Sequence, residues 1–221
     1  MNFRFNVSVN RIEVEHGRVT RVVVDDAQGI EESLRSDAYV VALGSYSPLV
    51  LKPVGISLPV YPVKGYSVTL QLNPGDEAPR TSITDHSRKI VFSRLGDRLR
   101  VAGTAELNGY DNEINPVRCN ALVERCFELF PRAGRRQDAQ FWTGLRPATP
   151  NNLPLIGRSK IANLYLNTGH GTLGWTLCCG SARSLADILS GRNPEPQFGF
   201  VGLDPKRKGA TVPAAPRFEN P

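Results

Sequence analysis

Polar and apolar residues alternate from the start of the chain. Phe3, Phe5, Val7 and Val9 are separated by single polar residues, and Ile12 and Val14 continue the pattern. A period of two is that of a half-buried strand. Glu15-His16-Gly17-Arg18 interrupts it as a turn, and residues 19–24 form a second strand, so the chain opens on a predicted hairpin. After the turn Asp25-Asp26-Ala27-Gln28-Gly29, residues 37–43 are almost continuously apolar. Such a run predicts a strand buried in a parallel sheet. It ends at Gly44-Ser45-Tyr46-Ser47-Pro48, where serine before proline starts a helix.

The middle of the chain keeps the short period. Residues 58–62 and 65–72 read as extended, with Val68, Leu70 and Leu72 alternating with Thr69 and Gln71, and Asn73-Pro74-Gly75-Asp76 is a turn. Residues 89–94 and 98–102 form a second predicted hairpin around Leu95-Gly96-Asp97. The period then lengthens. Asn115 is a cap and Pro116 fits a first helical position; Val117, Ala121, Leu122, Cys126, Leu129 and Phe130 follow at helical spacing until Pro131 stops them. Residues 140–143 are a short strand running into a stiff, proline-punctuated loop over 144–157. Residues 163–166 form a strand, and a helix is predicted over about 172–190, with Gly191 as its stop. From about residue 204 the composition is that of a disordered tail. No internal repeat is present. A strand-rich middle between two mixed stretches predicts two interleaved domains, the first and last thirds sharing one sheet.

Composition changes this picture little. The 221 residues suffice for one or two domains with a real core, and 40% hydrophobic with 22% charged is ordinary for a globular protein. The net charge of +6 includes no basic stripe interleaved with aromatic residues, so nucleic acid is not an expected partner. The clusters Arg132…Arg135-Arg136 and Lys206-Arg207-Lys208 are local: solvated surface, or weak attraction to an anionic membrane. The four cysteines lack metal-ligand spacing, so no metal site is expected and reduced thiols in a cytoplasmic setting are. No apolar run reaches membrane-spanning length. The opening strand, without a signal core, reads as the middle of a sheet and predicts a piece of something longer.

The candidate chemistry gathers in two places. Asn167-Thr168-Gly169-His170-Gly171-Thr172-Leu173-Gly174-Trp175-Thr176 is a glycine-rich turn between a strand and a helix. The first turn of a helix offers free N–H groups and partial positive charge, and glycines let a flat or anionic ligand approach. An ordinary tight turn fits the same residues. His170 suits acid–base work or bracing the turn. Gly44 ends a buried strand, where α/β sheets bind ligands, or merely terminates it. The second place is Arg146, whose guanidinium would be held still by Pro147, Pro150 and Pro154. It can take a carboxylate in a two-pronged fork, or serve as a structural arginine bound to a backbone carbonyl. Lys64 and Lys89 read as surface lysines unless neighbours recruit them. Asp85-His86-Ser87 has the composition of a triad but not its usual spacing, and no Gly-x-Ser-x-Gly is present.

Three motifs in order carry a resemblance: Phe141-Trp142-Thr143-Gly144-Leu145-Arg146-Pro147, Pro154-Leu155-Ile156-Gly157, and the stretch from Leu166 to Thr176. With residues 37–47 and Tyr61-Pro62-Val63-Lys64-Gly65-Tyr66-Ser67 they resemble the C-terminal half of the FAD-dependent D-amino-acid oxidase superfamily, in particular its bacterial D-amino acid dehydrogenase branch of small-subunit type. The resemblance covers about residues 3–194. It implies a mixed α+β and α/β fold, the C-terminal part of an FAD-dependent oxidoreductase with an antiparallel substrate-domain sheet inserted between parts of the FAD-binding domain. The implied divisions are 1–50 and 141–200 for FAD, 51–140 for substrate, and 201–221 as the tail.

The resemblance also implies roles. Arg146 would hold a substrate carboxylate, and His170 would join it in the catalytic set. Gly169, Gly171, Thr172, Leu173, Gly174, Trp175 and Thr176 would lie against the flavin, Ala42, Gly44 and Ser45 near the cofactor, and Val9 near the adenine. A D-amino acid, D-alanine-like, would be oxidised to an imino acid that hydrolyses to a 2-oxo acid and ammonia. Electrons would pass to a quinone of the respiratory chain, implying a cytoplasmic protein peripheral on a bacterial inner membrane. A glycine, sarcosine or D-hydroxyproline oxidase-like enzyme would use Arg146 in the same way. Three departures accompany the resemblance. The Gly-x-Gly-x-x-Gly with which the family's first βαβ unit grips the FAD diphosphate has no counterpart before the first strand of this sequence, so a missing N-terminal half and a truncated fragment, in the extreme a non-catalytic remnant, are expected. The stretch Asp85-His86-Ser87-Arg88-Lys89-Ile90 lacks the tyrosines of some relatives, and Asn151-Asn152 replaces the usual Asp-Gly.

Overall fold

The alternation at the start of the chain becomes β1 (Ser8–Glu15) and β2 (Arg18–Asp25) in a computed structural model that describes residues 2–195. His16 and Gly17 join them, both at positive φ, as a two-residue hairpin turn demands. The hairpin starts later than its hydrophobic pattern. Phe3 and Phe5 are 69% and 80% exposed, because β2 ends at Asp25, opposite Ser8, and leaves earlier residues no partner strand. Then come β3 (Glu31–Leu34), β4 (Tyr39–Val41), α1 (Ser47–Leu51) and the long β5 (Tyr61–Gln71). Three strands follow, β6 (Ile83–Asp85), β7 (Ile90–Leu95) and β8 (Arg98–Glu106), then α2 (Pro116–Leu129) and β9 (Gln140–Ala148). The chain closes with β10 (Leu155–Arg158), β11 (Leu164–Thr168) and α3 (Gly174–Leu189). The predicted tail, 201–221, lies outside the described residues, as does Lys206-Arg207-Lys208.

The chain divides into two units. One joins Met1–Tyr61 to Pro147–Pro221; the other is the insert Pro62–Arg146. In the first unit, β4 pairs in parallel with β11, and β10 joins β11 antiparallel, giving the order β10-β11-β4. Residues from both ends of the chain therefore share a sheet. The apolar run predicted to be a strand buried on both faces is covered on one only: Val41 is buried and Val40 is 43% exposed. Ile12, Val19, Leu51, Ile56, Leu155, Leu164 and Leu166 pack together across the sequence. Asn163 ties the β1-β2-β3 sheet to this core, accepting from Val19 N at 2.8 Å and donating to Val19 O at 3.0 Å. Leu185 and Ile188 of α3 pack on Ile156 and Tyr165.

The second unit is a five-stranded sheet in the order β6-β7-β8-β5-β9, antiparallel from β6 through β5. Tyr66, Val68 and Leu70 of β5 share one face with Phe92, Leu99 and Val101. Cys119, Leu122, Val123, Cys126 and Phe127 of α2 cover that face. Burying each such side chain contributes roughly 1.5–3 kcal/mol. The Asn115 side chain caps α2, accepting from Val117 N and Arg118 N, with Pro116 next as predicted.

The predicted loop over 144–157 is partly wrong. Gly144-Leu145-Arg146-Pro147 continues β9, and 155–157 belong to β10. Prolines suggested a loop, but β9 is an edge strand, where a missing N–H disturbs no ladder bond on the open side. Among the described residues no helix is long and apolar enough to cross a membrane, and no group of three or more His, Cys, Asp or Glu could hold a metal ion.

Candidate functional site

In the first unit the strand ends are stitched together. Thr168 Oγ1 donates to Gly44 O at 3.0 Å and accepts from Ser47 Oγ at 2.9 Å. Thr168, Ser47 and Ser45 are buried, while Ala42 is exposed just beyond β4. The loops after the carboxyl ends of parallel strands are where α/β sheets place ligands. The glycine turn follows directly. Gly169 has φ +78°, and a Cβ there would sit 2.9 Å from Thr149 Cγ2, so both conformation and packing require glycine.

Two of the turn's donors are already used. Gly171 N donates to Pro147 O at 2.9 Å and Leu173 N to His170 O at 3.0 Å. The open donors are in the first turn of α3. Its N-cap, Leu173, supplies no side-chain acceptor, and the N–H groups of Gly174, Trp175 and Thr176 have no preceding helical carbonyl to meet. Thr172, Leu173, Trp175 and Thr176 are exposed, Trp175 to 92%. A Cβ at Gly171 would meet nothing within 4 Å. An uncapped helix mouth with partial positive charge therefore faces open space, suited to an anionic or electron-rich ligand.

His170 reaches α3. Its Nε2 lies 2.9 Å from the buried Ser181 Oγ, which braces the turn against the helix. Burial pushes the imidazole below its ordinary pKa and favours the neutral ring. Val9 stands apart: it lies on β1, in a different sheet from the strands that carry Gly44 and Gly169, and is 36% exposed.

Arg146 belongs to the second unit. It stands near the end of β9, not on a loop, and Nη1 donates to Thr104 O on β8 at 3.0 Å. The side chain is part-buried, and burial lowers its pKa. Among the described residues no carboxylate lies within salt-bridge distance of it. A desolvated guanidinium without an anion is costly, and a ligand carboxylate would relieve that cost.

Lys64, expected at the surface, is 2% exposed. Its Nζ reaches Asp111 Oδ2 at 3.0 Å, Glu113 O at 3.1 Å and Glu106 Oε2 at 3.4 Å, and Tyr66 donates to Glu106. Burial alone would lower the lysine pKa, but the bonds to Asp111 and Tyr66 lift it above the ordinary range. Two of the ammonium hydrogens thus have acceptors, and Glu106 pairs with the charge. The stretch around Lys64 stood out in the sequence, but its partners lie more than 40 residues away. Asp85-His86-Ser87 is a capped turn: Asp85 accepts from Ser87 N, Ser87 Oγ and Arg88 N and pairs with Arg125. Lys89 is exposed at φ +55°.

The chain is 57% identical over 201 residues to a D-amino acid dehydrogenase of Dechloromonas aromatica (strain RCB), covering 91% of this chain and 48% of that protein. To the D-amino acid dehydrogenase of Chromohalobacter salexigens it is 49% identical over 210 residues, covering 95% and 48%. It thus spans about half the length of the curated relatives it matches. Among solved structures, glycine oxidase from Bacillus cereus ATCC 14579 superposes with TM-score 0.68 at 25% identity, over 85% of this chain and 50% of that one. Iminodiacetate oxidase from Chelativorans sp. BNC1 superposes with TM-score 0.72 at 22% identity, over 90% and 53%, and shares the fold. The family model described as DAO, FAD dependent oxidoreductase, matches residues 1–188, and the chain belongs to that family.

Proposed function

We propose that these residues work as part of an FAD-dependent D-amino acid dehydrogenase, with a D-alanine-like substrate held at Arg146. The observation that carries the reading is the part-buried guanidinium with no carboxylate partner among the described residues. A charge-assisted fork to a substrate carboxylate contributes roughly 1.5–3 kcal/mol and fixes the amino acid's orientation. In this reading the insert Pro62–Arg146, which carries Arg146, serves the substrate domain, and the unit on either side of it the FAD-binding domain.

The glycine turn and the uncapped start of α3 fit the electron-rich end of FAD. Their backbone N–H groups favour negative charge, and Gly169 and Gly171 keep side chains out of the way. When bound, FAD supplies the two-electron acceptor that converts an amine-bearing carbon to an imine. His170 holds the turn through Ser181, and Ser45 and Gly44 close the neighbouring strand end. For Val9, a position near the adenine rests on family resemblance alone. The diphosphate grip, Gly-x-Gly-x-x-Gly, comes in this reading from the half of the longer relatives that this chain does not span. Passage of electrons to a membrane quinone, with the +6 charge favouring an anionic surface, completes the proposal.

The test is spectral and kinetic. Protein purified together with a polypeptide that supplies the diphosphate-gripping half, and supplemented with FAD, should retain a yellow chromophore at about 450 nm, the redox centre being the flavin ring. It should reduce an artificial electron-accepting dye when given D-alanine, faster than with glycine, sarcosine or D-hydroxyproline. Preference for glycine or sarcosine would replace the substrate assignment. A colourless protein without D-amino-acid-dependent dye reduction would favour a non-catalytic remnant.

A further inference from the structure

Arg146 stands on β9 and bonds a carbonyl on β8, and β5 runs between the two. Adjacent strands lie about 4.8 Å apart, so the side chain bridges roughly 9.6 Å of sheet. The strand in the middle must let it pass, and it does so at Gly65. A Cβ built there would fall well under 3.0 Å from Cζ, Nη1 and Nη2 of Arg146, its three nearest atoms. Gly65 is buried and is not among the glycines with positive φ. Its backbone would accept any residue; the guanidinium lying across it would not.

The acceptor is also specially built. Between the pairs Lys64↔Glu106 and Tyr66↔Gly103, β5 advances two residues and β8 three. The extra residue makes a bulge. Thr104 lies within it at φ +67°, a left-handed conformation that is a strain for a β-branched residue. Thr104 has no partner in the β5–β8 register, so its carbonyl is available to Arg146.

We propose that Gly65 and the Thr104 carbonyl form a cradle that aims Arg146. Both are positioning residues and act through the guanidinium. Because Thr104 O takes Nη1, the edge formed by Nε and Nη2 is left to meet the two oxygens of a carboxylate. The Thr104 side chain plays no part; the bulge does. This inference rests on Arg146 being a carboxylate site, and it adds what holds the arginine in place.

Gly65→Ala tests it in the whole chain. The new methyl meets only the far end of a flexible side chain, so the fold survives while the guanidinium must swing away. The probe is the Arg146 Nε–H signal in nitrogen-15 NMR, assigned by its loss in Arg146→Lys, during titration with sodium acetate against sodium chloride. The wild-type signal should be protected from solvent exchange and shift saturably with acetate. In Gly65→Ala it should move to the position of free arginine and exchange at least about tenfold faster, with acetate binding at least tenfold weaker, while far-UV circular dichroism and the urea midpoint hold. Thr104→Gly, which keeps the carbonyl and relieves the strain, should match wild type in the arginine signal and gain stability. A Gly65→Ala protein whose arginine signal stays protected, or a Thr104→Gly protein that loses it, overturns the cradle. A protected wild-type signal that ignores acetate leaves the cradle standing and overturns the carboxylate reading.

Discussion

Replacing Thr168 by valine removes one hydroxyl and nearly preserves shape. That hydroxyl makes two bonds in a closed place: it donates to Gly44 O at 3.0 Å and accepts from Ser47 Oγ at 2.9 Å, with Thr168 1% and Ser47 0% exposed. Each bond contributes about 1 kcal/mol net, and stranding a buried acceptor and donor adds roughly another 1 kcal/mol or more. Thr168→Val should therefore lose about 2–4 kcal/mol. Thr168→Ser keeps the hydroxyl and loses a methyl, so its loss should be about 1 kcal/mol. Urea unfolding of the three proteins, followed by far-UV circular dichroism, measures the differences directly. Amide hydrogen exchange should show the loss concentrated around residues 44–47 and 168–171, because the pair joins the end of β4 to the glycine turn. If valine is no worse than serine, the hydroxyl does not stitch the strand ends.

Three further outcomes are expected. Asn115→Ala should cost about 1 kcal/mol in urea unfolding, because its side chain alone caps the N–H groups of Val117 and Arg118. A colorimetric thiol reagent at pH 8 should label Cys178 and Cys179 quickly and Cys119 and Cys126 only after unfolding. The second pair is buried in the core under α2, and burial pushes the Cys126 thiol up to about 11. His170 should make stability fall as pH drops below about 6.5, the ordinary imidazole value. Burial depresses its folded pKa, so the unfolded chain takes up the proton first and stability is lost on the way down through the folded value. His170→Gln should flatten that part of the pH profile, and an unchanged slope would mean the ring is not desolvated.

Local physics was legible in the sequence where partners are close along the chain. The β1–β2 and β7–β8 hairpins follow from alternation and turn residues, and α2 follows from Asn115, Pro116 and Pro131. What escaped is set at long range. β3 is Glu-Glu-Ser-Leu and β6 only three residues, and neither carries a pattern; each is recruited by a neighbour's edge. The prolines of 144–157 suggested a loop until the edge position of β9 made Pro147 harmless. Lys64 has the chemistry of a surface residue and is buried because Glu106 and Asp111 converge on it. In the candidate site, glycine spacing marked the turn and helix start. It could not show that Pro147 O takes the Gly171 N–H, or that Gly65 makes room for Arg146.

The central claim is that Arg146 reads a carboxylate. In FAD-loaded protein, the rate of flavin bleaching by D-alanine and by D-alaninamide, which lacks the carboxylate, compares wild type with Arg146→Ala most directly. The claim predicts a loss of about 10–150-fold in kcat/KM for D-alanine, the equivalent of one charge-assisted fork, with D-alaninamide unchanged. Equal losses for both substrates, or D-alanine turnover within twofold of wild type, would contradict it.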